Sequence, residues 1–94
     1  MIRVIIEHQV KTGQDIFPLL RELRTNAMQY LGYVSGETLV NTKDISNILV
    51  ISTWQTLEAW NVWEESRLRA TFNQPVEALS LGKSKVRTYS IVSI

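Results

Sequence analysis

The sequence contains no cysteine, a single histidine and only two prolines, and its formal net charge is +1. Because cysteine is absent, disulfide scaffolds, thiolate zinc sites and thiol nucleophiles are excluded. Ten basic residues stand against nine acidic residues, and this balance argues against a nucleic-acid-binding protein, which needs a basic face. The absence of thiols suits a reducing compartment, so we expect a cytoplasmic protein.

The sequence also lacks any apolar run that is long enough to cross a bilayer. Its first residues alternate in polarity and include Arg3, Glu7 and His8, which is unlike a signal peptide. We therefore expect no membrane partner. The chain has 94 residues, of which 45% are hydrophobic, and it shows no linker or repeat, so we predict one domain over residues 1–94.

The hydrophobic pattern predicts four strands. Residues 2–10 and 84–92 alternate in polarity, which is typical of half-buried strands. The apolar run from Ile48 to Ile51 has no polar face, so we expect both of its sides to be covered. A turn at residues 43–46 separates the two middle strands. The predicted strands cover residues 2–10, 33–42, 47–54 and 84–92.

Two helices are predicted between these strands. The first carries an apolar stripe from Ile16 to Leu31, and we expect Gly32 to end it as a left-handed cap. The second is capped by Thr56 and should continue until Pro75 stops it. Within this second helix, Glu65 and Arg69 have the spacing of an exposed ion pair.

The order strand, helix, strand, strand, helix, strand predicts an α+β fold of the ferredoxin-like βαββαβ type. In that fold both helices cover one face of a four-stranded antiparallel sheet. The other face would expose Ile5, part of the apolar run, and Tyr89 with Ile91. Because an apolar sheet face of this size is unfavourable in water, we predict a homodimer that packs sheet against sheet.

Several segments of the sequence resemble the antibiotic biosynthesis monooxygenase domain family. They are GYVSGETL at residues 32–39, NILVISTW at 47–54 and TLEAW at 56–60, followed by Trp63, Ser66 and Arg67. The resemblance covers residues 2 to 92 and implies a dimeric α+β barrel. Members of the family oxidise aromatic polyketide intermediates or quinols with dioxygen and without metal or flavin, degrade haem, or act on a bacterial signalling molecule. The resemblance therefore supplies a range of functions.

The haem-degrading branch of the family combines an asparagine on the first strand, a tryptophan on the second helix and a histidine ligand about three turns later. Trp63 matches the tryptophan, but the asparagine position holds Ile6 and the histidine position holds Asn73. Because the axial imidazole is missing, the resemblance argues against haem degradation.

His8 is the first candidate for catalysis. Its position in the alternation places it with Ile2, Val4 and Ile6, on the side that faces the helices. An imidazole titrates near neutral pH, so His8 could act as a general base or bind a substrate hydroxyl. The alternative is a histidine at the edge of the core that is satisfied by a backbone carbonyl.

The candidate binding residues are mainly aromatic. Trp54 ends a strand and is predicted to be structural, whereas Trp60 and Trp63 share a helical face and could form the wall of an aromatic-binding pocket. The alternative is that all three tryptophans only fill the core. Further polar candidates for the pocket, each with a structural alternative, are Asn73, Arg67, Tyr33 and Tyr30.

Two functions remain open at this stage. The first is a cofactor-independent monooxygenase that acts on a small electron-rich aromatic molecule, such as a quinol, with dioxygen. The second is a non-catalytic dimeric protein that binds a small molecule or serves in stress, with an interior filled by its own aromatic residues. No acidic residue has metal-ligand spacing to the histidine, and no phosphate-binding or dinucleotide-binding motif occurs. We therefore predict no metal and no cofactor.

Overall fold

The computed structural model describes all 94 residues, Met1–Ile94. Its elements follow the order strand, helix, strand, strand, helix, helix, strand. The bounds are β1 Ile2–Gln9, α1 Phe17–Ala27, β2 Tyr33–Asn41, β3 Asp44–Trp54, α2 Leu57–Glu64, α3 Arg67–Ala78 and β4 Lys85–Ser90. None of the helices has the length and hydropathy needed to cross a membrane.

The four strands form one sheet in the order β2-β3-β1-β4, and every neighbouring pair is antiparallel. Along β1 the side chains of Val4, Ile6 and His8 are buried, while those between them are only half-buried. This alternation shows that the helices cover one face of the sheet. The predicted α+β ferredoxin-like fold is confirmed.

The second predicted helix is wrong in one respect, because it is interrupted after Glu64. Thr56 caps α2 as predicted, since its hydroxyl accepts a hydrogen bond from the Ala59 amide at 3.1 Å. Ser66 then caps a new helix: its Oγ accepts from the Arg69 amide at 3.1 Å and donates to the Trp63 carbonyl at 2.7 Å. A serine that bonds the backbone on both sides competes with helix continuation, which explains the break.

Pro75 does not end a helix, contrary to the prediction, but lies inside α3. A proline removes the amide that would donate to the carbonyl four residues earlier, here Thr71. Both Thr71 and Pro75 are exposed, so water can hydrate that carbonyl. The cost of the missing hydrogen bond is thereby reduced, and the helix continues to Ala78.

Gly32 has the predicted left-handed backbone, with φ of 92°, but it does not cap the helix. Helix α1 ends five residues earlier, at Ala27, and Met28 is its cap. A Cβ atom on Gly32 would lie 2.5 Å from the Cβ of Ala59. Gly32 therefore allows the chain to pass closely beneath α2 as it enters β2. The turn between β2 and β3 is also shorter than predicted and contains only Thr42 and Lys43.

The core lies between the helices and the sheet and consists of two clusters. One cluster contains the three tryptophans with Val4, Ile6 and Ala27. The other lies towards the opposite end of the sheet and contains Val10, Ile16, Leu20, Ile48 and Val76.

The opposite face of the sheet has no covering element. Strand register places Ile5, Leu49 and Ile51 on this face, together with Leu39 and Tyr89; these five residues are called the open sheet face below. Within the single chain, Leu49 and Ile51 are half-buried and Tyr89 is 51% exposed. The expectation that both sides of the run 48–51 are covered is therefore not met by this chain alone.

Candidate functional site

A cavity of about 240 Å³ lies between the helices and the covered face of the sheet. It is lined by residues of every strand and of α1, α2 and α3. An apolar cavity of about 150 Å³ is enough to hold benzene. The cavity therefore has room for a somewhat larger planar molecule, and the tryptophans do not fill the interior.

Trp60 and Trp63 form part of the cavity wall. Both are almost fully buried, with 2% and 3% of their surface exposed. The ring of Trp63 meets Tyr30 edge to face at 4.8 Å, and that of Trp60 meets Trp54 at 5.8 Å. These edge-to-face contacts hold the two indoles in place, and Trp54 is itself part of the cavity lining.

His8 also lines the cavity and is only 5% exposed. Its Nδ1 lies 2.6 Å from the Oγ of Ser84, the residue that precedes β4. Burial, with a smaller contribution from the positive charge of Arg69, lowers the pKa of His8 from 6.5 to about 4. At neutral pH the imidazole is therefore uncharged. Its Nε2 either donates or accepts a hydrogen bond, depending on which of the two ring nitrogens carries the proton.

Arg69 lines the same cavity, although the sequence placed it on the outer side of the helix in a pair with Glu65. That prediction is wrong: the only ion pair in the protein joins Arg87 and Glu7. The guanidinium carbon of Arg69 lies 5.5 Å from the centre of the Trp60 ring, within the range of a cation–π contact. Burial lowers the pKa of Arg69, and the charge of Glu64 opposes this change.

The break at Ser66 explains why Arg69 reaches the cavity. In one continuous helix Arg67 would follow Trp63 by four residues and share its face. Because α3 begins afresh at Ser66, the residues facing the cavity are instead Arg69, Asn73 and Val76, which have helical spacing. This spacing is present in the sequence, but it indicates a site only once the helix break is recognised.

Of the four polar candidates from the sequence, two line the cavity and two do not. Asn73 and Tyr33 line the cavity, whereas Arg67 is exposed and Tyr30 lies behind Trp63; neither of these two is part of the lining. The cavity thus brings together His8, Trp60, Trp63, Asn73 and Tyr33.

Tyr33 has a buried hydroxyl group without a hydrogen-bond partner. Its ring meets Trp54 edge to face at 5.4 Å. The hydroxyl lies above Gly36, where a Cβ atom would approach it to 2.5 Å. Gly36 is therefore a place where the Tyr33 side chain approaches the backbone closely. Leaving a buried hydroxyl group without a hydrogen-bond partner costs stability.

No pattern in the sequence points to Ser84, which is separated from His8 by 76 positions. The two meet because β4 pairs with β1 along the sheet. No group of three or more His, Asp or Glu side chains has the arrangement of a metal site.

Several solved structures share this fold. An antibiotic biosynthesis monooxygenase matches 99% of the chain and 100% of its own, with a TM-score of 0.86 and 20% identity. SnoaB, a cofactor-independent oxygenase from Streptomyces nogalater, matches 99% and 94%, with a TM-score of 0.87 and 13% identity. A protein of Mycobacterium tuberculosis matches 99% and 96%, also with a TM-score of 0.87 and 13% identity.

The sequence matches no family model, and no curated protein sequence matches it significantly. At identities of 20% or less, these similarities establish the fold over nearly the whole chain. They do not carry an activity from one protein to another.

Proposed function

We propose that the protein is a cofactor-independent monooxygenase that acts on a small electron-rich aromatic molecule, such as a quinol or a polyketide-like phenol. The observation that carries this proposal is the composition of the cavity. It combines a neutral imidazole, a guanidinium and two fixed indole walls. The shared fold with a cofactor-independent oxygenase supports it.

Binding is assigned to the aromatic walls. A planar substrate would lie against Trp60 and Trp63, whose positions are fixed by edge-to-face contacts. Its hydroxyl would point towards His8 and Arg69, while Asn73 offers a further amide. This arrangement excludes water from one side of the ring and holds the reacting oxygen against the polar groups.

Proton transfer in this site depends on Arg69 as well as on His8. The pKa of His8 is about 4, whereas that of a phenol is about 10. The gap of about 6 units corresponds to about 8 kcal/mol, which is too large for His8 acting alone to ionise a simple phenol. The developing oxyanion raises the pKa of His8, and the Arg69 cation lowers that of the substrate. The two residues therefore act together.

The reaction then needs no external electron donor. Loss of a proton makes the ring electron-rich enough to pass electrons to dioxygen, and a carbon–oxygen bond forms at an activated ring carbon. The resulting hydroperoxide, on a carbon that still carries a hydrogen, loses water and becomes a carbonyl group. In an anthrone the two hydrogens lost come from one methylene group, and in a phenol or quinol they come from a ring C–H and the hydroxyl group, so each dioxygen gives one carbonyl oxygen and one water. The substrate supplies both electrons that reduce the second oxygen atom.

A second candidate function is a non-catalytic protein that binds a small aromatic molecule. The low pKa of His8 favours it, because an imidazole with a pKa of about 4 is a weak base. In this case His8, paired with Ser84, would only bind the ligand.

Oxygen uptake distinguishes the two functions. We expect the purified protein to accelerate oxygen consumption with at least one compound in a panel of quinols and anthrone-like substrates. His8→Ala should lower the rate by about 100-fold or more, the usual contribution of a general base, while the exposed Arg67→Gln serves as the control. Equal rates in His8→Ala and the native protein would remove His8 from the mechanism. Saturable binding without oxygen uptake would favour the second function.

A homodimer through the open sheet face is part of this proposal. The face contains Ile5, Leu49 and Ile51 in its centre, with Leu39 and Tyr89 towards its two edges. Pairing with a second copy would bury these side chains and satisfy the expectation that the run 48–51 is covered on both sides.

Light scattering at micromolar concentration tests this assembly. We expect a mass of about twice the 10.8 kDa of one chain. Ile51→Asp should convert the protein to monomers because it places a charge at the centre of the interface. Leu31→Asp is the matched control, since Leu31 is 92% exposed and lies outside the sheet. A native protein with the mass of a single chain would contradict the proposal.

A further inference from the structure

The guanidinium of Arg69 forms no ion pair with an acidic side chain, although the charge of Glu64 acts on it. None of its five N–H groups donates a hydrogen bond to another residue. Its only close partner is the face of Trp60. A half-buried arginine usually forms a planar, two-point contact with a carboxylate or phosphate. Here the donors face the cavity and are free for a ligand.

The charges around the cavity also favour an anion. The basic residues that line it are Arg24, Arg69 and Lys83, and the acidic ones are Glu37 and Glu77. Its one imidazole, that of His8, is kept neutral mainly by burial, with a smaller contribution from the charge of Arg69. Of these charged groups only Arg69 is half-buried, whereas the other four are exposed and screened by solvent, so Arg69 contributes most to the binding of an anion.

The shape of the cavity restricts the anion to a flat, largely apolar molecule. The Arg69 guanidinium lies over the ring of Trp60, and Trp63 lines the same cavity, so one ligand can contact Arg69 and the aromatic wall. We propose that the natural ligand is an aromatic carboxylate, whose ring packs on Trp60 and Trp63 and whose carboxylate receives two hydrogen bonds from Arg69. The reaction of this ligand rests on the proposed function, whereas its recognition by the cavity does not. In this proposal Arg69 determines which ligands bind.

In this proposal the carboxylate and the hydroxyl group of the ligand have separate roles. The carboxylate holds the molecule at Arg69, and a hydroxyl elsewhere on the ring would meet His8. The Arg69 cation then acts on that hydroxyl from beside the bound carboxylate, while the low pKa of His8 remains set mainly by burial.

Calorimetric titration with two matched probes tests the inference without turnover. The probes are naphthoate and naphthamide, its uncharged amide, which have the same ring and nearly the same shape. We expect the native protein to bind naphthoate about tenfold or more tightly than naphthamide, as is usual for a charge-assisted two-point contact. Arg69→Gln should remove this preference, and Arg69→Lys should retain only part of it, because lysine keeps the charge but lacks the planar fork.

Arg67→Gln is the matched control, since it removes an equal charge two residues away and outside the cavity. Its preference for naphthoate should equal that of the native protein. Equal affinities for the two probes, no binding of either, or a preference that survives in Arg69→Gln would overturn the inference. A preference for naphthoate in a protein that consumes no oxygen would leave the inference standing and remove the proposed oxygenase activity.

Discussion

Replacing His8 with glutamine is expected to remove much of the pH dependence of stability between about pH 6.5 and about pH 4. The pKa of His8 is about 4 in the folded protein and 6.5 for an unperturbed side chain. In this interval the unfolded chain binds a proton that the folded chain does not bind. Stability is therefore fully present above pH 6.5 and decreases as the pH falls, by up to about 3 kcal/mol.

Urea unfolding at a series of pH values measures this effect. Protein concentration must be held constant, because association would change the apparent stability. His8 is the only histidine, so the native protein and His8→Gln should differ in slope above pH 5, where most carboxylates stay ionised. Glutamine keeps a polar group beside Ser84, which limits other effects of the substitution. Parallel stability curves would show that His8 is not held neutral by its surroundings.

Replacing Trp60 with alanine is expected to lower the free energy of unfolding by about 3–5 kcal/mol. Trp60 is 2% exposed, packs against Trp54 and supports the Arg69 guanidinium on its face. Domains of this kind are stable by only about 5–15 kcal/mol, so the loss would be a large fraction of the total. The measurement is chemical unfolding followed by circular dichroism.

Leu57→Ala provides the comparison for Trp60→Ala. Leu57 lies in the same helix and is 46% exposed, so its truncation should change stability by about 0.5 kcal/mol or less. Trp60→Phe should give an intermediate loss, because it retains an aromatic ring in the wall. If Trp60→Ala were as stable as Leu57→Ala, the indole would not be a structural part of the cavity wall.

The fold was predictable from sequence because its signals are local. Alternation in β1 and β4, the Thr56 cap and the apolar run in β3 each depend on neighbouring residues. Their order allowed only a few topologies. The break in the second helix occurred where two local signals competed. The Ser66 hydroxyl interrupted a helix that hydrophobic spacing alone continued.

The candidate site was predictable only in part. The position of His8 follows from strand alternation, and the tryptophan wall follows from helical spacing. Arg69 could not be identified in this way, because its direction depends on the phase that α3 acquires after Ser66. The partner of His8, Ser84, depends on the pairing of β4 with β1, which no short-range pattern encodes. The low pKa of His8 likewise arises from residues brought together by folding.

Monooxygenation in this cavity is the central claim of the proposed function. Mass spectrometry of the product formed under dioxygen labelled with heavy oxygen tests that claim directly, using a compound from the quinol and anthrone panel that supports oxygen uptake. We expect one labelled oxygen atom to enter each product molecule, and we expect His8→Ala to form little labelled product. A product without label, or labelled product formed equally fast without the protein, would contradict the account.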